Sequence, residues 1–451
     1  MLGNLLAPEI EELLAARDYR AAKTLLGDLT AQDLADIITD LPNKHTTMVF
    51  RLLPKDKAAD VFEYLEFSAQ EELLDELKSE EVAHILEEMD PDDRTALLEE
   101  LPPKAASALI AMLSPEERRI ATTLLNYPEE SVGRLMTTDF VYLHPEMTVL
   151  DALKKVRRIG IDRETVYALY VVDKARTLLG SVSLRRIVTS DLEQVVGDLM
   201  VSDPPKVTTT DDREDAAELI RRYDLIALPV ADQTGKLVGI VTVDDLLDVI
   251  EAEHTEDVQM QAAVLPDERS YLEATVFGLV RRRIVWLVLL LGAEMIGVLF
   301  LRRYEETLSA YIALALFLPV MIATGGNTGT QSAALVIRAI ATGEIDLRHG
   351  MKVLGRDLVV GVVLSVTLGV LAGLLCWAMS GMGVIGLCVG CGLAAIIVMS
   401  NLAGTLLPLV FEQLNMDPAL MSGPFISTLV DVFGLVIYLQ ISLAIIAKFG
   451  S

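Results

Sequence analysis

Charge and hydropathy divide this chain into two parts that need different solvents. Residues 1–280 hold 56 Asp and Glu against 28 Lys and Arg, whereas residues 281–451 hold 9 against 10. An acidic soluble region therefore precedes an apolar one, and 451 residues leave room for several domains. This division excludes a simple soluble enzyme. The net charge of −27 argues against nucleic acid, whose phosphates call for basic surfaces. All three cysteines, Cys376, Cys388 and Cys391, lie in the apolar part. They make no disulfide framework and suit a reducing compartment; the Cys388/Cys391 C-x-x-C reads as packing inside an apolar run. Met1–Arg20 lacks the basic stretch and apolar core of a signal peptide.

Five segments of the apolar part, Ile284–Leu301, Leu308–Ile340, Leu358–Met379, Val384–Phe411 and Pro424–Ala447, are each long enough to cross a bilayer core of about 30 Å as a helix. Arg281, Arg282, Arg283, Arg338, Arg348, Lys352 and Arg356 flank one side, against Arg302, Arg303 and Lys448 on the other. The positive-inside rule then puts the acidic region in the cytoplasm and the C-terminus outside. The run Thr324–Ser332 and the run Ser400–Thr405 are rich in glycine and small polar residues, which suggests helices unwound around a cavity. Close helix packing is the plainer reading of the same residues. Asp431 stands alone in Leu429–Phe433. A carboxylate there costs roughly 2.5–3.5 kcal/mol on insertion, so an ion path is the natural use. Glu294, with only glycines as polar neighbours on its face, is the rival pore residue.

The soluble region carries two repeats. Leu29, Leu41, Leu53, Leu65, Leu77, Met89, Leu101, Leu113 and Leu125 recur every twelve residues, usually just ahead of Pro or a capping residue. Short helices stacked into an α-helical superhelix account for that. Farther on, Leu135-Met136 recurs as Leu199-Met200, and Asp173 with Gly180 recurs as Asp232 with Gly239. Short apolar strands alternate with amphipathic helices in both copies, and the pattern resembles a tandem pair of CBS (cystathionine-β-synthase-type) domains. Such pairs commonly bind adenine nucleotides, and Thr242-Val243-Asp244-Asp245 has the form of their ribose contact. Seven acids and no Lys or Arg follow between Asp244 and Asp257. Carboxylates so crowded repel unless protons or hard cations neutralise them. This run leads through an amphipathic stretch, Glu268–Arg283, into the first apolar segment.

The full order of parts resembles the MgtE family of magnesium channels. The motifs are Pro319…Gly325-Gly326-Asn327-Thr328-Gly329…Gln331-Ser332, Asn401-Leu402-Ala403-Gly404, and Asp417-Pro418-Ala419-Leu420…Ser427-Thr428-Leu429-Val430-Asp431. The resemblance implies a superhelix over 1–130, CBS domains over 131–196 and 197–257, a connecting helix over 258–283 and a five-helix pore domain over 284–451. It implies a homodimer in the bacterial inner membrane, with one pore lined by Asp431 and by Gly325, Gly326, Asn327 and Asn401. Asp60, Asp92, Asp212, Glu214, Asp224, Asp245, Asp248, Glu253, Glu256, Asp257 and Asp417 match its magnesium-sensing acids. Where a further acid is expected one turn after Asp92 the chain has Ala96, and Asp93 is the available substitute. The implied function is uptake of Mg2+, with Mn2+, Co2+ or Ni2+ as further candidate ions, under cytosolic Mg2+ control, with ATP in the CBS cleft. Because Mg2+ sheds water reluctantly, outer-sphere contacts from Asp431 and from carbonyls near Gly325 and Gly326 would hold it. A proton-coupled exporter using Asp431 and Glu294, and a CBS-regulated membrane enzyme, are the competing readings.

Overall fold

The computed structural model describes residues 2–160, 163–266, 274–345, 347–414, 416–420 and 423–449. The chain forms two compact units, Met1–Ile250 and Glu251–Ser451.

In the first unit ten helices precede any strand: α1 to α10 run Leu2–Ala15, Tyr19–Gly27, Ala31–Asp40, Asn43–Leu52, Lys55–Glu63, Phe67–Glu76, Ser79–Glu88, Pro91–Glu100, Pro103–Met112 and Pro115–Leu125. The twelve-residue period has a mechanical cause. Leu41, Leu53 and Leu101 each precede a proline, which disfavours helical geometry at the residue before it. Each takes an extended conformation at its helix C-terminus and turns its side chain into the core. A positive charge is buried beneath this stack. Arg94 of α8 is fully buried, donates to the carbonyls of Leu86 at 2.8 Å and Met89 at 3.3 Å, and pairs with Glu117 of α10. A buried cation survives only with such partners.

Two small sheets follow. The first contains β1 (Phe140–Leu143), β2 (Thr165–Val172), β3 (Leu178–Ser183) and β4 (Val201–Ser202); the second contains β5 (Val207–Thr208), β6 (Ala227–Ala231) and β7 (Leu237–Thr242). In each, a parallel pair is followed by an antiparallel pair, β1·β2·β3 matching β5·β6·β7. Helices α11 (Val132–Leu135), α12 (Val149–Ile159), α13 (Leu184–Thr189), α14 (Val196–Leu199), α15 (Arg213–Tyr223) and α16 (Val243–Gln261) surround them. The repeated Leu-Met and Gly meet crosswise. A Cβ on Gly239 would lie 2.6 Å from Met136 Sδ, and one on Gly180 would lie 2.9 Å from Met200 Sδ. The opening segment of each copy thus packs against the sheet of the other.

The second unit takes the end of α16 and then α17 (Val276–Arg303), α18 (Glu305–Ala310), α19 (Ile312–Ala341), α20 (Gly350–Ser380), α21 (Gly383–Gln413) and α22 (Gly423–Phe449). All but α16 and α18 are long and apolar enough to cross a membrane. A single connecting helix over 258–283 is not what forms. Helix α16 stops at Gln261, Ala263 has φ 57°, Pro266 follows, and α17 begins at Val276. The left-handed Ala263 and the proline both end a helix. Positions 268–273 of the expected amphipathic stretch lie outside the described residues.

The expected unwinding at 324–332 and 400–405 is also corrected, since α19 and α21 run unbroken through both. Their glycines bring helices into contact. A Cβ on Gly404 would sit 2.3 Å from the Gly329 carbonyl oxygen, and one on Gly325 would sit 2.5 Å from Ile396 and 2.8 Å from Val430. Small residues are what such close approach requires in a membrane. Replacing Gly404→Val should therefore destabilise this unit by about 1–3 kcal/mol, the usual cost of overpacking. Thermal unfolding in detergent reads it, and an unchanged midpoint would contradict the tight α19–α21 seam.

Candidate cation sites

The acids of the first unit converge from three directions. Glu63 ends α5; Asp90, Asp92 and Asp93 open α8; Asp244, Asp245 and Asp248 lie in the first turns of α16. Glu164, just before β2, adds a fourth element. Carboxylates suit the first turn of a helix because unpaired backbone N–H groups concentrate positive potential there. Oxygens of Glu63, Asp90 and Asp93 all lie within 4.8 Å of one another, and the Asp90 N–H donates to Glu63 Oε1 at 2.9 Å. Asp92 is only 6% exposed, and its Oδ1 is buried with no hydrogen-bond partner.

The electrostatic consequence is uniform in sign. Burial, then Asp93, pushes Glu63 up to about 8. Burial, then Asp90 and Asp245, takes Glu164 to about 8. Asp93, exposed as a residue but with its carboxyl turned into the cluster, is raised to about 7 by desolvation and then by Asp245 and Asp90. Asp245 reaches about 6 through burial, the Thr242 hydroxyl pulling the other way. Asp92 is raised well above the carboxylate range by burial and then by Asp245. Oxygen-only ligands, crowded and short of positive charge, are what a hard divalent cation needs. The orphaned Asp92 Oδ1 shows that the donor set fits one.

Among the sequence-derived acids, Asp92, Asp245 and Asp248 come together here, with Asp60 at the rim acting on Glu63 and Asp90. Asp212 and Glu214 do not join them. Asp212 caps the N-terminus of α15 by accepting the Glu214 N–H at 2.9 Å, while Asp224 caps its C-terminus in left-handed geometry. Eleven residues of helix separate the ends by about 16 Å. In the second unit, Asp257 near the end of α16 is raised by burial, then by the Asp417 charge and more weakly by Glu253, with His254 and Arg338 pulling the other way. Glu256 lies between Glu253 and Asp257 on the same helix. Sequence reasoning missed Glu63, Asp90 and Glu164. Glu63 follows Asp60 by three residues and so shares its helix face, which could have flagged it; nothing local flags Glu164.

The Thr242 hydroxyl donates to Asp245 Oδ2 at the start of α16, and the nearest charges acting on Asp245 are the carboxylates of Asp244 and Asp248.

In the membrane unit, Asp431 is half-buried on α22 and faces Glu294 of α17 closely enough for the two carboxyls to interact. Glu294 therefore has a polar neighbour after all, on another helix. Gly325 and Gly326 are buried between helices, and the Gly325 carbonyl already accepts the Ser400 hydroxyl at 2.5 Å. Asn327 is exposed, whereas Asn401 is buried with its amide donating to the Asp357 carbonyl at 2.7 Å.

Known families meet this chain part by part. The MgtE intracellular N domain matches residues 5–130, CBS domains match 132–193 and 196–252, and the MgtE divalent cation transporter domain matches 318–441. The magnesium transporter MgtE of Thermus thermophilus is 39% identical over 97% of this chain and 98% of its own length. The chain belongs to the MgtE family of magnesium transporters. The MgtE of Bacillus subtilis is 34% identical over 73% of both chains. A crystal structure of the cytosolic domain of the Mg2+ channel MgtE in complex with ATP, 38% identical, covers 54% of this chain and all of its own with a TM-score of 0.52. MgtE proteins are transporters rather than enzymes, which removes the membrane-enzyme reading.

A pH dependence follows from the raised carboxyls. Their ordinary values are 4.5 for Glu and 3.8 for Asp, so the folded cluster holds protons more tightly than the unfolded chain. Its stabilising effect is complete below those values and is lost as pH rises through about 6 to 8. Without divalent cations, the melting temperature of the soluble unit should fall across that window. Millimolar Mg2+ should flatten the fall, and a flat profile without Mg2+ would refute the cluster.

Proposed function

We propose that this chain forms a homodimeric channel that admits Mg2+ across a bacterial inner membrane and closes when cytosolic Mg2+ is plentiful. The acidic unit lies in the cytoplasm and the C-terminus outside. The observation that carries gating is Asp92: a buried carboxylate oxygen without a partner, among carboxylates from α5, α8, α16 and the start of β2. A cation there draws the superhelix and both CBS copies together, and without one their charges push them apart. The helix that brings Asp245 to this cluster also carries Asp257, whose carboxyl feels the Asp417 charge. Helix α16 thus carries acids of both units. Substitution of Asp92→Asn with Asp245→Asn should leave a channel that conducts at millimolar cytosolic Mg2+. Closure at the wild-type concentration in single-channel recordings would defeat the sensor assignment.

Permeation rests on Asp431. One carboxylate cannot surround a hydrated ion, whereas a two-fold dimer offers two. Hydrated Mg2+ would pass between them by outer-sphere contact, and Mn2+, Co2+ and Ni2+ share the oxygen-ligand chemistry to different degrees. An adenine nucleotide, bound in the related cytosolic structure, is a further ligand of the CBS pair, with Thr242 and Asp245 as its candidate contacts. The Asp431–Glu294 pair favours one second reading, a proton-coupled exchanger in which the carboxyls share a proton. Asp431→Ala should abolish Mg2+ uptake by correctly assembled protein, and wild-type uptake would sink the pore assignment. Flux that follows an imposed pH gradient instead of the Mg2+ gradient would select the exchanger.

A further inference from the structure

Asp357, on the second turn of α20, belongs to none of the groups above, yet three helices meet at its carboxylate. Ser332 Oγ of α19 donates to Asp357 Oδ2 at 3.0 Å, and Thr405 Oγ1 of α21 donates to the same oxygen. The two hydroxyls also lie 2.8 Å apart, and each approaches the Asn401 carbonyl, at 3.2 and 3.0 Å. In return, the Asn401 amide donates to the Asp357 backbone carbonyl. Ser332, Asn401 and Thr405 are at most 5% exposed.

Proton counting shows what the charge does. Two hydroxyl hydrogens serve five oxygen–oxygen contacts, so they go to the strongest acceptor. An ionised carboxylate takes both, tying α19 and α21 to α20; a neutral acceptor leaves them to the Asn401 carbonyl, within α21 and between α19 and α21 alone. The tie extends to the Asp431 helix. On α19, Gly326 lies against Ser427 of α22, where a Cβ would come within 2.9 Å of Ser427 Oγ, and Ser427 is one turn from Asp431. We propose that the Asp357 carboxylate is a positioning residue for ion permeation, fixing through Ser332 and Thr405 the register of α19 against α22. The inference rests on Asp431 as the pore carboxylate.

Mg2+ uptake by full-length protein in proteoliposomes, normalised to folded dimer, tests it for Asp357→Asn, Asp357→Glu, Ser332→Ala and Thr405→Val. Asp357→Asn should lower uptake per folded molecule about tenfold or more, as loss of hydrogen bonds to a charged group implies. It should also shift inhibition by hexaamminecobalt(III), a rigid outer-sphere mimic of hydrated Mg2+. Asp357→Glu should recover part of the rate. Combining Asp357→Asn with Thr405→Val should cost no more than either alone, because both remove one network. Wild-type uptake per folded molecule in Asp357→Asn and Ser332→Ala overturns the proposal, as does full additivity of the double variant. Should Asp357→Asn fail to fold, Ser332→Ala and Thr405→Val decide by the same measurements. Failure of the Asp431 reading shows separately, as wild-type uptake by Asp431→Ala.

Discussion

Carboxylates forced out of water without matching cations are the constraint on which the soluble unit depends. The strongest influences on Asp92, Asp93 and Glu164 are burial and then the carboxylates of Asp245 and Asp90. Arg94, two residues from Asp92, spends its charge on Glu117 and on carbonyls within the superhelix. An arrangement of this kind is stable only with protons or metal ions in it, so its compactness is conditional on solution composition. A switch needs that conditionality: a sensor fully satisfied by its own residues would have nothing to sense.

The membrane unit solves a different problem with different residues. Its helices gain little from hydrophobic association in lipid, so packing and polar ties must hold them. Gly325, Gly329 and Gly404 let α19, α21 and α22 approach until backbone meets side chain. Hydroxyls then bond across the seam, Ser400 to the Gly325 carbonyl and Ser332 and Thr405 to Asp357. A small-residue run therefore need not mean unwound backbone. When neighbouring helices occupy the missing side-chain volume, every turn keeps its own hydrogen bonds, and the polar residues act between helices.

Much of the architecture was legible in the chain itself. The twelve-residue period, the repeated Leu-Met and Asp…Gly, and the five apolar segments each reflect a local rule: proline placement, strand alternation or hydrophobic length. Asp431 was legible because a charge in an apolar helix is costly wherever the helix lies. Of the acid cluster, the parts on α8 and α16 could be read as dense acidic runs. Glu63 could be read only through its place three residues after Asp60, and nothing local marked Glu164.

What tertiary structure alone decided is which residues share a space. Asp245 could be a nucleotide ligand or a cation ligand by sequence; the fold bonds it to Thr242 and sets it among the acids of α8. Asp212 and Asp224 stand together in the set of acids that the resemblance names, and α15 sets them at its opposite ends. Glu294 lacked a polar neighbour on its own helix and found one on α22, and Asp357 fell at the edge of an apolar segment until α19 and α21 closed on it. Sequence determines what each short element will be, because propensity, capping and hydrophobic period act over a few residues. Electrostatics and hydrogen bonding act through space, and pairs such as Ser332 with Asp357 and Asp92 with Asp245 lie 25 and 153 residues apart.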